Sequence, residues 1–202
     1  MQFLTRPPGQ VSRLGILPGS FNPPTRAHLI LAEAALSKVD AIVLVLPRTF
    51  PHKDYTGADF TQRISMLCAA VDGRSRLSAA VSEGGLFAEI AEEYWAAHGS
   101  GTELAFVCGR DAAERIMTWD YGDPVRLTRM LETFRLLVAS RDGEYDPPDV
   151  WRHRIDPLAV PEDLGAISAS EVRRRIQARL AWESLVPEAI VPLVRRIYLP
   201  AE

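Results

Sequence analysis

Lysine is almost missing from this 202-residue chain. Of 23 basic residues only Lys38 and Lys53 are lysine, and the other 21 are arginine. A general lineage drift toward arginine accounts for that without a functional cause, but it makes each lysine worth locating. Cysteine is scarce too. Cys68 and Cys108 lie in the apolar strings MLCAA and FVCGR, outside any CxxC pair or Cys/His cluster with metal spacing. They read as core thiols of a reducing compartment, not as a disulfide framework. No run of 18 apolar residues is present, so no membrane span and no membrane partner are expected. The opening MQFLTRPPGQVSR lacks the apolar stretch of a signal peptide, and a cytoplasmic protein is expected. The net charge of −3 provides no basic field for nucleic acid. With 47% apolar and 24% charged residues, disordered and fibrous classes are set aside as well. There is no GxxxxGK[ST] loop, no GxGxxG after a strand, no GxSxG elbow and no HExxH. Nucleophilic catalysis and zinc hydrolysis therefore lack support.

What is present is an alternation of apolar runs and helical patterns. Strands are predicted at 14–17, 41–46, 77–81, 104–108 and 135–139, with a weaker extended piece at 152–155. The run AIVLVL (41–46) is apolar throughout, as a strand buried on both faces should be. Helices are predicted after residue 25, with Leu29, Ala32 and Leu36 at helical spacing, then around 60–71, 86–97, from Asp111, 169–180 and 187–197. This order predicts an α/β fold, a Rossmann-like parallel sheet with helices on both faces. One domain spanning 1–202 is expected, with a short extension over 1–12. Such sheets bind ligands beyond the carboxyl ends of their strands, where strand order reverses. The loops after the first and fourth strands are the first places to look.

The first of these loops reads GSFNPPTRAH, from Gly19 to His28. Thr25 is placed to cap a helix whose third residue is His28. Free amides and the dipole make such a helix start an anion site, and a histidine there can donate to a phosphate oxygen. Gly19 and Ser20 would let backbone approach that phosphate. The plain alternative is an ordinary strand–helix turn with a solvated histidine. Near the other end, ISASEVRRR (167–175) offers Ser168 and Glu171 as a capping box. Arg173 would follow a little over one turn later, leaning toward the helix start. Arg174 and Arg175 would point elsewhere, into solvent.

The string GSFNPPTRAH resembles the (H/T)xGH signature of the nucleotidylyltransferase superfamily, and more narrowly the nicotinate/nicotinamide mononucleotide adenylyltransferases. Ala27 stands where many relatives have glycine. ISASEVR is similar to that family's ISxTxxR motif, with Ser170 in the threonine place. Pro51-His52-Lys53 resembles its PHK segment, and Gly109-Arg110-Asp111 followed by Trp119 resembles its GxD and tryptophan. Arg63 and Met66 fit its R-x-x-M helix and read as mostly structural. Leu185-Val186-Pro187 is similar to its LVP segment, with Pro187 expected in the first turn of the last helix. The chain departs at Gly84-Gly85-Leu86-Phe87, where many relatives carry S-Y-T, a motif that helps to bind the pyridine mononucleotide. The resemblance spans about residues 13–199.

The resemblance implies adenylyl transfer from ATP to a pyridine mononucleotide in NAD biosynthesis, with Mg2+ bound alongside ATP. His28, Arg173 and Lys53 would carry catalysis. ATP and its phosphates would be held by Gly19, Ser20, Phe21, Thr25 and His28 in the first loop, and by Gly109 and Asp111 after the fourth strand. Ile167, Ser168, Ser170 and Arg173 would complete that set. Asn22, Lys53 and Trp119 would face the mononucleotide. Two alternatives stay open: another phosphorylated acceptor such as a phosphopantetheine, and a nucleotide-binding module without catalysis. The sequence does not choose between acid and amide mononucleotides, nor between a monomer and a homo-oligomer.

Overall fold

A computed structural model of the chain describes residues 1–7, 9–49, 57–118, 122, 125–139 and 145–199, with backbone only for Arg126 and Glu162. In chain order the described elements are β1 (Gln2–Phe3), β2 (Arg13–Pro18), α1 (Arg26–Ala35), β3 (Ala41–Pro47), α2 (Phe60–Val71), β4 (Leu77–Ser82) and α3 (Phe87–His98). There follow β5 (Glu103–Gly109), α4 (Arg110–Thr118), α5 (Arg126–Thr133), β6 (Phe134–Ala139), β7 (Ile155–Leu158), α6 (Ala169–Gln177) and α7 (Val191–Tyr198).

The strands form a seven-stranded sheet in the order β1-β4-β3-β2-β5-β6-β7. All neighbours are parallel except β1, which pairs antiparallel with β4 through Gln2 and Phe3. The chain steps outward from β2 to β3 and β4, then returns to place β5 on the other side of β2. Strand order therefore reverses between β2 and β5. The loops after these two strands are the ones singled out in the sequence.

Every residue of β3 is buried. Its alternation divides the core. Ile42, Leu44 and Leu46 pack with Leu29, Ala32 and Ala35 of α1 and with Leu67 and Val71 of α2. Ala41, Val43 and Val45 face Ile90, Ala91 and Tyr94 of α3, Ala113 of α4, and Met130 and Leu131 of α5. Burying one such Leu or Ile is worth about 1.5–3 kcal/mol, so an unbroken apolar strand sets the middle of a three-layer sandwich. A third cluster lies outside α2. Met66 and Ala70 pack there against Val172 and Ile176 of α6, Trp182, Leu185, and Val194 of α7. This cluster docks the carboxyl-terminal helices, and with them Arg173, beside the loop after β2.

The structure departs from the sequence expectations in several places. Helix α5 was not expected, although Leu127, Met130 and Leu131 give the i, i+3, i+4 stripe that buries it. The extended piece expected at 152–155 begins at Ile155 instead. Asp146 and Asp149 hold Arg152 at 2.8 and 3.0 Å, just after a 3-10 turn over Asp149–Trp151. Pro187 precedes a 3-10 turn at Glu188–Ile190, and Pro192 occupies the first turn of α7. Helix α4 starts at Arg110, so Asp111 lies inside its first turn and does not cap it. Among the described residues, no helix is long and apolar enough to cross a membrane.

Candidate active site

The loop after β2 is built on its first residues. Gly19 N–H donates to Val45 O of β3 at 3.0 Å, continuing the sheet one step past β2. That amide is therefore spent on the sheet, which corrects its expected use as a phosphate donor. What Gly19 contributes is the absence of a side chain, since a Cβ there would stand 2.9 Å from the Phe21 ring. Phe21 is fully buried and sits at φ +45°, a left-handed conformation costly for a bulky residue. Its ring meets the His28 imidazole edge-on, with centroids 5.0 Å apart. The loop thus fixes the histidine before any ligand arrives. The Asn22–Pro23 peptide within it is cis.

Thr25 precedes α1 in extended conformation, as an N-cap should, and is fully buried. His28 reaches back to it. Thr25 N–H donates to His28 Nδ1 at 2.9 Å, and Thr25 Oγ1 lies 2.8 Å from the same nitrogen. A backbone amide can only donate, so Nδ1 is an acceptor and the ring proton sits on Nε2. The cap thus selects the tautomer that keeps Nε2 as a donor. Ala27 packs into the core under α1, so its methyl is used for packing.

The second motif meets the first across the fold. Ser168 caps α6, its Oγ accepting from Glu171 N–H at 3.1 Å. Arg173, one turn on, donates from Nη1 to Asn22 O at 2.5 Å and from Nη2 to Ser170 Oγ at 3.3 Å. Among the described residues no carboxylate lies within ion-pair distance of Arg173, whereas Arg174 and Arg175 both reach Glu171 at 2.7 Å. Arg174 and Arg175 point away from Arg173 as expected, Arg174 well exposed, and both pair with Glu171. Their bonds, Arg174's foremost, draw the Glu171 carboxyl down to about 2. The Glu171 carboxylate thus pairs with these two arginines, and of the expected capping box the half formed is the bond from Glu171 N–H to Ser168. Ile167 packs between the core under α1 and the cluster outside α2.

Asn22 is nearly buried, and its side chain serves the protein. Its Oδ1 accepts from Ala58 N–H at 3.2 Å and from Tyr198 Oη at 2.5 Å. Its side-chain oxygen is thus occupied within the protein, beside the role facing a mononucleotide that the resemblance implies. Arg63 of α2 is the residue most underestimated from sequence. It is 5% exposed, and its guanidinium lies under the loop, with Nη1 3.5 Å from Ser20 O. Its spacing to Met66 already put it on the buried face of α2. Gly109 ends β5, paired with Ala139. Arg110 and Asp111 follow at the start of α4, with Arg110 Nε donating to Glu114 at 2.7 Å. Lys53, His52 and Trp119 lie outside the described residues.

The segment Gly84–Phe87 leads into α3. Its amides are already taken by carboxylates of the same helix. Glu93 accepts from Glu83 and Gly84 N–H at 3.0 and 2.8 Å, and Glu89 accepts from Gly85 and Leu86 N–H at 3.0 and 2.9 Å. Gly84 makes this fit, since a Cβ there would stand 2.6 Å from Glu89. Phe87 stacks on Phe106 of β5, with centroids 4.4 Å apart. This helix start is closed to an outside anion.

A mostly parallel sheet whose order reverses at β2/β5, with a capped histidine and an arginine that no described carboxylate meets beside that point, has the Rossmann-like nucleotidyltransferase fold. A family model described as cytidylyltransferase-like matches residues 16–175, and the chain belongs to that family. It is 30% identical to a probable nicotinate-nucleotide adenylyltransferase of Geobacter sp. (strain M21), over 94% of this chain and 99% of the relative. It is 29% identical to one of Moorella thermoacetica, over 96% and 93%. Among solved structures, the Plasmodium falciparum nicotinic acid mononucleotide adenylyltransferase complexed with NaAD superposes with a TM-score of 0.69 at 17% identity. That alignment covers 93% of this chain and 97% of the other, and it shows likeness of fold.

Proposed function

We propose that the protein transfers the adenylyl group of ATP to nicotinate mononucleotide, releasing pyrophosphate and forming a dinucleotide of NAD biosynthesis. The observation that carries this reading is the contact between Arg173 and Asn22 O. It brings the two phosphate motifs to one place from opposite ends of the chain. The names of the relatives at about 30% identity support the choice of acceptor.

A 5′-phosphate oxygen of the mononucleotide would attack the α-phosphorus of ATP in line. The bond from that phosphorus to the bridging oxygen breaks, and pyrophosphate leaves. The nucleophile is already anionic, so no general base is required. Catalysis would rest on positioning and on charge stabilisation. His28, with its proton on Nε2, would donate to a phosphate oxygen as charge develops there. Arg173, whose charge no described carboxylate meets, would hold the β- and γ-phosphates together with Lys53. Ser20, Phe21 and Thr25 would shape the phosphate cradle, and Gly19 would keep it flush against the Phe21 ring. Ser168, Ser170 and Ile167 would set Arg173. Gly109 and Asp111, at the end of β5, would line the nucleoside side, and Trp119 the acceptor ring.

Mg2+ would enter with ATP and neutralise charge shared among the phosphate oxygens. Among the described residues no group of three or more His, Cys, Asp or Glu could cage a metal. His28 and Arg173 would hold the phosphates with which the ion enters. The test is pyrophosphate release with ATP and Mg2+ across an acceptor series: nicotinate mononucleotide, nicotinamide mononucleotide and a phosphopantetheine. Release with the first is expected. ATP binding by calorimetry with no release for any acceptor would refute the reading and favour a binding module.

A further inference from the structure

Asn22 receives contacts from three separate parts of the chain. Its backbone oxygen takes Arg173 of α6 at 2.5 Å. Its side-chain oxygen takes Ala58 N–H, just ahead of α2, at 3.2 Å. The same oxygen takes the hydroxyl of Tyr198, the last residue of α7, at 2.5 Å and 176 residues away in sequence. Gly57, at φ +103°, completes the arrangement. A Cβ there would stand 3.1 Å from Asn22 Oδ1 and 3.3 Å from the Tyr198 ring, so only glycine lets these groups close on one another.

We propose that Tyr198 is a positioning residue of this site: its hydroxyl holds the Asn22 side chain, and through Asn22 it sets where Arg173 stands over the loop after β2. The inference rests on the reading of that loop and Arg173 as the ATP phosphate site. Docking of α7 does not require the hydroxyl. The helix is anchored by Val194, fully buried, and by Ile190, Leu185 and Trp182 in the cluster outside α2. Beside Asn22 Oδ1 the hydroxyl meets the Ala58 backbone amide, so its polar contacts gather where Asn22 and Ala58 come together. Burial pushes the Tyr198 phenol up to about 12, while the Arg173 charge, the Ala58 backbone amide and the Arg63 charge pull the other way. It therefore stays a protonated donor throughout the assay range. With the hydroxyl removed, Asn22 Oδ1 keeps Ala58 N–H and loses its stronger donor. The peptide that holds Arg173 is then free to shift.

The test is Tyr198→Phe, with Val194→Ala as a control that loosens the same helix without touching Asn22. Loss of one buried neutral hydrogen bond should weaken ground-state and transition-state phosphate binding alike. KM for ATP should rise about 5- to 10-fold, with kcat within about twofold. Amide exchange at Ala58 should quicken. Val194→Ala should lower the melting temperature and leave KM for ATP unchanged. Wild-type KM and unchanged Ala58 exchange in Tyr198→Phe would overturn the proposal, as would an equal rise of KM in Val194→Ala. Should the wild-type protein bind ATP yet release no pyrophosphate, the functional reading fails alone, and the calorimetric affinity of Tyr198→Phe for ATP decides this one. A wild-type protein that binds no ATP would sink both.

Discussion

Arg173→Ala is the sharpest perturbation of the proposed mechanism. The guanidinium is held by two neutral acceptors, Asn22 O at 2.5 Å and Ser170 Oγ at 3.3 Å, with no described carboxylate against it. These contacts leave part of its fork and all of its charge for a phosphate. A hydrogen bond to a charged group is worth about 1.5–3 kcal/mol, so loss of the phosphate contact should cost about 3 kcal/mol at the upper end. At 1.36 kcal/mol per decade, that is roughly a hundredfold fall in kcat/KM. Arg173→Lys keeps the charge and gives up the planar fork. It can serve Asn22 O or the phosphate well, but not both, and an intermediate loss of about tenfold is expected. The assay is pyrophosphate release under saturating nicotinate mononucleotide with ATP varied, alongside thermal unfolding of each variant. Arg173→Ala at more than a third of wild-type kcat/KM, with an unchanged melting temperature, would refute the reasoning.

Other consequences can be checked in the same preparations. His28→Ala should lower turnover by roughly two to three orders of magnitude, as loss of an oxyanion-type donor does, and full activity would remove its role. Met66→Ala should cost about 2–5 kcal/mol in denaturant unfolding, because Met66 is fully buried between α2 and the carboxyl-terminal helices. Glu171 titrates near 2 in the folded protein against an ordinary 4.5, so its bonds to Arg174 and Arg175 stabilise above about pH 4.5 and are lost as pH falls toward 2. Between pH 5 and 3, Glu171→Gln should therefore lose less melting temperature than wild type, and parallel curves would contradict this. Burial pushes the Cys108 thiol up to about 12, so at pH 8 it should resist a disulfide reagent until the protein unfolds.

The sheet was legible because its signal is local. AIVLVL reads as a strand covered on both faces, and β3 is buried along its whole length. The stop after Leu17 and the cap at Thr25 were readable for the same reason, since turns and caps are set by a few adjacent residues. The site was legible as two motifs but not as one place. Nothing in the periodicity of 167–175 says that Arg173 should reach Asn22, 151 positions earlier. Asn22 was given a ligand role by the resemblance alone. Its burial depends on Ala58 and Tyr198, which only the folded chain brings to it. Gly19 misled in a similar way, because its amide belongs to the sheet, a matter of register between β2 and β3. Arg63 could have been found. A cation on the same helical face as Met66 and Leu67 has to be buried, and a buried cation needs a reason.

The margins of the sheet bear on how copies of this protein meet. One edge is β7, four residues long with Pro157 among them, and the other is the two-residue β1. Proline has no amide to donate, and neither margin offers a run of unpaired backbone groups long enough to template another strand. Among the described residues, both margins of the sheet therefore disfavour growth by strand addition. Among the described residues, the outer helices present side-chain surfaces on which point substitutions, rather than backbone pairing, would tune contacts between copies.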